Sequence, residues 1–285
     1  MPANLFQVDG KRVDTFSDFL SNENDSKWEN LLYYPAKFEK ENEGILHLVE
    51  KSFIEVSFKD TEFHRVSFVK CVFERCLFMG GKFVDCEFID CTFTNTNTSK
   101  IKISSCLIDP CDFDSNFDFK VDTNIAIDLF HSIYKNSIEE HQPERAIDSL
   151  YRMKRAERFH LDSQLERKKI GLKKYIIEKI KYIIHEWISG YGLKICRVFA
   201  TSVFFIIFFS YVNFIYRDSI FENGKIENPV DAFYFTCVTL TTLGFGDIAP
   251  VTYGGRLLVS IEVLIGIVII SIFLTAVAQK FMRTR

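Results

Sequence analysis

The chain has 285 residues, a formal net charge of −3 and thirty Phe. That length holds about two domains, and so balanced a charge excludes nucleic acid as a partner drawn by bulk electrostatics. The composition is not uniform, because Phe falls at regular intervals in the first half and two continuous apolar stretches fill much of the last third.

The first twenty residues alternate apolar and charged side chains without an apolar run, so no cleaved signal peptide is expected. From Phe53 a Phe recurs at every fifth position, through Phe58, Phe63, Phe68, Phe73, Phe78, Phe83, Phe88 and Phe93. The register continues to Ile103, Ile108 and Phe113 and extends back to Leu48, with Thr98 as its weak member. A step of five turns a side chain ~140° round an α-helix and changes face on a flat strand, so neither element can bury such a column. The chain must turn a corner once per repeat and stack as a solenoid. A second column of small or mid-sized apolar residues lies two positions earlier in many repeats, at Val56, Val66, Cys71, Cys76, Cys86, Cys91, Cys106 and Cys111. The eight cysteines include no C-x-x-C pair. Six of them on a five-residue spacing read as reduced core side chains rather than disulfides or metal ligands, which points to the cytoplasm.

With Phe at the centre of each repeat and Cys or Val two residues before it, the chain resembles the pentapeptide-repeat family over roughly residues 46–120. The resemblance implies a right-handed quadrilateral β-helix of about three to four coils, roughly 17 Å long. It implies little about activity. Some relatives mimic DNA with an acidic surface, but here Lys51, Lys59, Arg65, Lys70, Arg75 and Lys82 are interspersed with the acids. A scaffold, docking site or spacer is the expected role, with its partner unassigned. Residues 1–45, which carry Trp28, Leu31, Leu32, Tyr33, Tyr34 and Phe38, are expected to form the cap that a solenoid end needs.

Residues 121–190 change period. Ile125–Ile138 and Glu144–Leu165 have helical spacing, with Pro143 suited to the first turn of the second helix. Leu172, Ile176, Ile180, Ile183, Ile184 and Trp187 share one face of a further helix, flanked by Lys173, Lys174 and Lys181. Such a helix next to a membrane span suits a lipid interface, with anionic lipid as the candidate partner, or else packs on its neighbours as a solvated helix. A break is expected at Ser189-Gly190-Tyr191-Gly192.

Residues 191–285 contain two apolar runs, Ile195–Tyr216 and Arg256–Ala278, each long enough to cross about 30 Å of hydrocarbon. Lys194 and Arg197 flank the first, and Lys280, Arg283 and Arg285 follow the second. The positive-inside rule then places both termini in the cytoplasm of a two-span plasma-membrane or inner-membrane protein. Between the runs, Asn228-Pro229 opens a short helix to about Thr241, followed by Thr242-Leu243-Gly244-Phe245-Gly246-Asp247. Backbone carbonyls can replace the water of a bare ion when alternate residues adopt conformations that glycine reaches easily. Gly244 and Gly246 supply those positions and the Thr242 hydroxyl adds an inner oxygen, while Leu243 and Phe245 are expected to point back into packing. One loop makes a quarter of such a ring, so four copies are needed.

This segment resembles the potassium-channel signature T-V-G-Y-G-D, and residues 191–285 resemble the two-helix potassium-channel family. The resemblance implies a homotetramer that holds potassium on the backbone carbonyls of Thr242, Leu243, Gly244 and Phe245. The whole chain is then multidomain: a quadrilateral β-helix, an α-helical connector and an all-α two-span, pore-loop channel domain. Leu243 and Phe245 depart from Val and Tyr but keep apolar or aromatic character. Non-selective relatives disrupt the second half of the signature, and here Gly244-Phe245-Gly246 is intact. Asp247 completes the signature, and Val238 stands where some relatives place an acid. Glu262, an intramembrane carboxylate, is expected to support the pore helix or filter from behind. Gly266 is a candidate hinge or a close-packing glycine, and Ser271, Phe273, Thr275 and Ala276 are candidates for the cavity or gate.

No arginine-rich sensor helix precedes the first span, and the sequence ends a few residues after the second, so regulation is expected from the solenoid, connector, lipid or filter. The competing readings are a non-selective monovalent cation channel and a membrane-anchored scaffold, the latter leaving the filter segment unexplained. No nucleophile–base constellation, metal-ligand spacing or phosphate loop points to an enzyme or a cofactor beyond potassium as the permeant ion.

Overall fold

The structure, a computed structural model, describes residues 8–40, 44–119, 121–189, 195–222 and 224–283. The expected break at Gly190-Tyr191-Gly192 and the charges Lys194 and Arg285 lie outside them. The chain divides into two compact units, Met1–Lys179 and Ile180–Arg285.

The first unit is a solenoid because of its corners. Every fifth residue from Glu50 to Ser105 has a positive φ, between +51° and +75°. Asp60, Asp90 and Asn95 tolerate this left-handed conformation, whereas at Lys70 and Arg75 it costs about 1–2 kcal/mol each. The recurring left-handed residue turns the chain between flat segments, and parallel ladders form on the faces. One face carries Lys11–Val13, Lys27–Tyr33, Ser52–Ser57, Val72–Glu74 and Thr92–Thr94. A second carries Leu46–Val49, Val66–Val69 and Glu87–Ile89, and a third Lys37–Phe38, Glu62–His64, Lys82–Val84 and Lys102–Ser104. Isolated parallel bridges from Ser57 to Leu77 to Asn97 mark the fourth.

Inside, the aromatic rings stack coil on coil. Phe53, Phe73, Phe93 and Phe113 have successive centroids 4.9, 4.7 and 4.2 Å apart, with interplanar angles of 14° or less. This is close to the ~4.8 Å strand spacing, so the sheet repeat and the ring repeat reinforce each other. The thiols of Cys71, Cys76 and Cys91 donate to the carbonyls of Leu48, Phe53 and Phe68 on the preceding coil at 3.2–3.3 Å. Cys111 is the exception to the buried column: it is exposed, because the coil gives way there to a 3-10 turn, Pro110–Phe113. At Thr98 the aromatic column is interrupted. Its hydroxyl is buried without a partner among the described residues, beside a cavity of about 10 Å³.

The solenoid also starts earlier than the Phe repeat. Trp28 lies opposite Phe53, twenty-five residues on, and its ring stacks at 5.0 Å and 8°. Phe38 lies opposite Phe63 at the same offset, while Leu48 lies opposite Phe68 at twenty. Trp28, Tyr33 and Phe38 therefore continue the five-residue column, and one extra repeat is inserted between Phe38 and Leu48. The segment expected as a cap is mostly coil, which lengthens the stack beyond three to four turns. The end is closed by helix α1, Phe16–Ser21, whose fully buried Phe19 stacks on Trp28 at 5.2 Å and accepts a hydrogen bond from Trp28 Nε1 at 2.8 Å.

The other end meets helices α2, Thr123–Glu139, and α3, Pro143–Glu166, the latter with Pro143 in its first turn as expected. Two side-chain amides extend the ladders where the strands stop. Asn116 accepts from the Thr96 N–H at 2.7 Å and donates to its carbonyl at 3.0 Å. Asn136 of α2 does the same for Cys106, at 3.0 and 2.7 Å. Asn136→Ala would strand the buried Cys106 N–H and leave its carbonyl only the longer bond from Gln142 Nε2, at 3.4 Å, and is expected to cost about 2 kcal/mol. Hydrogen exchange at Cys106 and its neighbours in the full chain checks this, with a lost protection of about thirtyfold or more as the expected result.

At this end Asp112 lies partly buried in the 3-10 turn, with Oδ2 buried and unpartnered among the described residues. Burial and the nearby Asp109 and Asp90 push its carboxyl from an ordinary 3.8 up to about 7, against the opposing pull of Arg145 and the Cys91 N–H. A proton held more tightly when folded makes stability fall with rising pH. The contribution is full below the ordinary carboxylate range and is lost as pH rises through about 7. Amide protection around Cys91, corrected for intrinsic exchange, should be higher at acidic than at alkaline pH, and Asp112→Asn should flatten the profile.

Helix α4, Leu172–Ser189, follows α3, and both Tyr175 Oη, at 2.7 Å, and Lys179 Nζ donate to Asp162 of α3. Leu172, Ile176, Ile180 and Ile183 are exposed along one side of α4.

The second unit contains helix α5, Ile195–Ile215; the short α6, Arg217–Ile220; α7, Pro229–Leu240; and α8, Tyr253–Arg283. Within α5 and α8, Cys196–Ile215 and Tyr253–Ala278 are long and apolar enough to cross a membrane, at 20 and 26 residues. Ile220, Phe221, Ile226, Ala232 and Phe235 form a small core beside the α7 start.

Candidate functional site

The site is built on α7. Its first turn is held by a reciprocal cap: Asn228 Oδ1 accepts from the N–H groups of Val230 and Asp231 at 2.9 and 3.1 Å, and Asp231 Oδ2 accepts from the Asn228 N–H at 3.1 Å. Asp231 completes a capping box that the Asn-Pro pair alone does not disclose. The last turn closes tightly. Thr242 N–H donates to the Thr239 carbonyl at 3.0 Å and Leu243 N–H to the Val238 carbonyl at 3.0 Å, the reverse turn that ends many helices. Its left-handed position falls on Thr242, at φ +61°, where a β-branched residue is strained.

After this turn, Gly244 and Gly246 also have positive φ, +55° and +80°. Thr242, Gly244 and Gly246 thus alternate in the left-handed region with Leu243 and Phe245 between them, the pattern expected from the two glycines with one residue added. Val238 is buried and holds the loop through its carbonyl, which accepts from both Leu243 and Gly244. Asp247 lies beside the Tyr234 hydroxyl of α7. Leu243 and Phe245, expected to pack backwards, are 64% and 67% exposed in the single chain. Their own α5, α7 and α8 do not cover them.

Behind α7 the structure brings together three polar residues that sequence spacing does not connect. Glu262 of α8, Asn213 of α5 and Thr236 of α7 are fully buried, each with 0% exposure. Asn213 Nδ2 donates to Thr236 Oγ1 at 3.0 Å and to the two Glu262 carboxyl oxygens at 3.1 and 3.4 Å. Thr236 also lies within hydrogen-bonding reach of Glu262. One turn further along α8, Gly266 presses on the end of α7: an added Cβ would meet the Leu240 carbonyl oxygen at 2.7 Å and its Cα at 2.9 Å. Gly266 is therefore a close-packing glycine in this structure, and α8 runs unbroken through it. Ser271 and Thr275 are exposed, with hydroxyls donating back to Ile267 and Ser271 at 2.7 Å. Phe273 is half-buried, and Ala276 is buried against its own chain.

Residues 195–283 match the family model described as ion channel. Among similar proteins, the A-type voltage-gated potassium channel KCND3 of Homo sapiens is 31% identical over 102 residues, 34% of this chain and 15% of the relative. The potassium voltage-gated channel protein Shal of Drosophila melanogaster is 30% identical over 102 residues, 34% of this chain and 18% of the relative. The chain thus spans under a fifth of the length of these curated relatives. A crystal structure of a voltage-gated K+ channel pore module in a closed state in lipid membranes shares 33% identity, covering 32% of this chain and 91% of that one. Its TM-score of 0.26 is too low to carry a geometric argument. Residues 195–283 therefore form an ion-channel domain with potassium-channel relatives, in a membrane protein whose N-terminal part is a β-solenoid.

Proposed function

We propose that the chain is one subunit of a homotetrameric, potassium-selective channel. The observation that carries this reading is the intact Thr242–Gly246 segment at the end of α7, with its left-handed alternation, set between two helices long enough to span a membrane. Four copies would close the ring of carbonyls that replaces the hydration shell of potassium. They would also cover the exposed Leu243 and Phe245. The C-terminal end of α7 stops at the filter, and its partial negative charge favours a cation there. Both termini are cytoplasmic in this reading, with Arg197, Lys280 and Arg283 on the inner side.

The solenoid and connector are proposed as the regulatory part. Chain continuity runs from the solenoid end through α2, α3 and α4 to the first span, and the exposed apolar side of α4, with Lys173, Lys174 and Lys181, suits an anionic lipid surface. Bending of α8 at Gly266 would release its contact with Leu240 and so connect gate movement to the filter. Flux from proteoliposomes tests the function: purified protein should pass K+ and exclude Na+ while eluting as a tetramer. Equal Na+ flux would support a non-selective channel, and no flux from an intact tetramer would leave a membrane-anchored scaffold. Removing residues 1–120 without changing channel opening would take the solenoid out of the account.

A further inference from the structure

The buried polar knot behind α7 joins α5, α7 and α8 through side chains. Asn213 comes from α5, Thr236 from α7 and Glu262 from α8, and every polar contact recorded among them runs within the trio. Asn213 is the centre, because its one amide nitrogen serves both other residues. The arrangement is costly. Asn213 Oδ1 is buried without a partner among the described residues, and a carboxyl group is sequestered among apolar helices. An apolar trio would fill the same space without those costs, so net stability alone does not account for the knot.

What it orients follows from position along α7. Thr236 lies one turn before Leu240, and Leu240 is two residues before Thr242, where the filter begins. Gly266, one turn beyond Glu262 on α8, touches Leu240 itself. The knot and the glycine contact thus fix α7 at two successive turns, and only the knot does so through directional bonds. We infer that Asn213 is a positioning residue for the filter, holding the Thr236 hydroxyl and the Glu262 carboxyl together so that α7 keeps one rotation and depth between the two spans. This rests on the channel reading above.

The test uses the full-length channel in planar bilayers, reading the K+/Na+ permeability ratio and the mean open time, with assembly checked by size exclusion. Thr236→Val removes the hydroxyl at constant shape, and Thr236→Ser restores it. Asn213→Asp places two carboxyls together, and the double variant Asn213→Asp with Glu262→Gln exchanges the amide and the carboxyl. Each of Thr236→Val and Asn213→Asp should shorten the open time or lower the permeability ratio by about tenfold, the effect of leaving one buried polar group unsatisfied. Thr236→Ser and the exchange should both return towards wild type. Unchanged open time and selectivity in both single variants would overturn the proposal, as would an exchange no better than Asn213→Asp alone. If Asn213→Asp does not assemble, the Thr236→Val and Thr236→Ser pair decides. A wild-type channel without potassium preference would count against the filter reading, and the open times would still decide the knot.

Discussion

Gly244→Ala is expected to abolish selective potassium current while leaving the protein assembled. Gly244 has φ +55°, and a Cβ added there would meet nothing within 4 Å in the single chain, so the penalty is backbone conformation rather than collision. An L-residue there costs roughly 1–2 kcal/mol. In four copies the penalties sum to about 4–8 kcal/mol, three or more decades in the balance between an ordered and a collapsed filter. Single-channel recording of tetramers with wild-type elution checks this. Wild-type conductance and selectivity in the variant would mean that the left-handed alternation is not what forms the ion path.

The second large effect is in the solenoid. Phe73 is 1% exposed and lies between Phe53 at 4.9 Å and Phe93 at 4.7 Å, nearly parallel to both. Phe73→Ala removes a ring from the middle of the stack and should cost about 3–5 kcal/mol, since the neighbouring coils are fixed by their own ladders and cannot collapse into the space. In a stack of coils this loss is local. Amide protection from Phe53 to Phe93 in the full chain should drop by two to three decades or more, with smaller changes at α1. Uniform loss across the unit would show that the coils unfold as one, and no loss would show that the stacked rings do not hold them.

The features legible in the sequence are those written locally. The five-residue corner, the two apolar spans, Pro143 at the start of α3 and Asn228-Pro229 at the start of α7 all follow from residues close together in the chain. Trp28, Tyr33 and Phe38 obey the same five-residue period, but the inserted repeat before Leu48 and the change from Phe to other aromatics hide them, so a coil reads as a cap. Cys111 keeps the spacing of the cysteine column and yet is exposed, because period alone does not say where the coil ends. For Glu262, local pattern points no further than the pore helix or filter as its partner. Asn213 and Thr236 are ordinary polar residues in apolar helices, and only the packing of α5, α7 and α8 brings them to one carboxyl. Leu243 and Phe245 are expected to pack backwards on pattern alone, yet α5, α7 and α8 of the single chain leave both exposed.

The central claim, that Thr242–Gly246 selects potassium, is tested most directly by the reversal potential of purified protein in bilayers under opposed potassium and sodium gradients. The account expects a reversal close to the potassium equilibrium potential. Robust current reversing near zero would contradict it and make the channel a non-selective one.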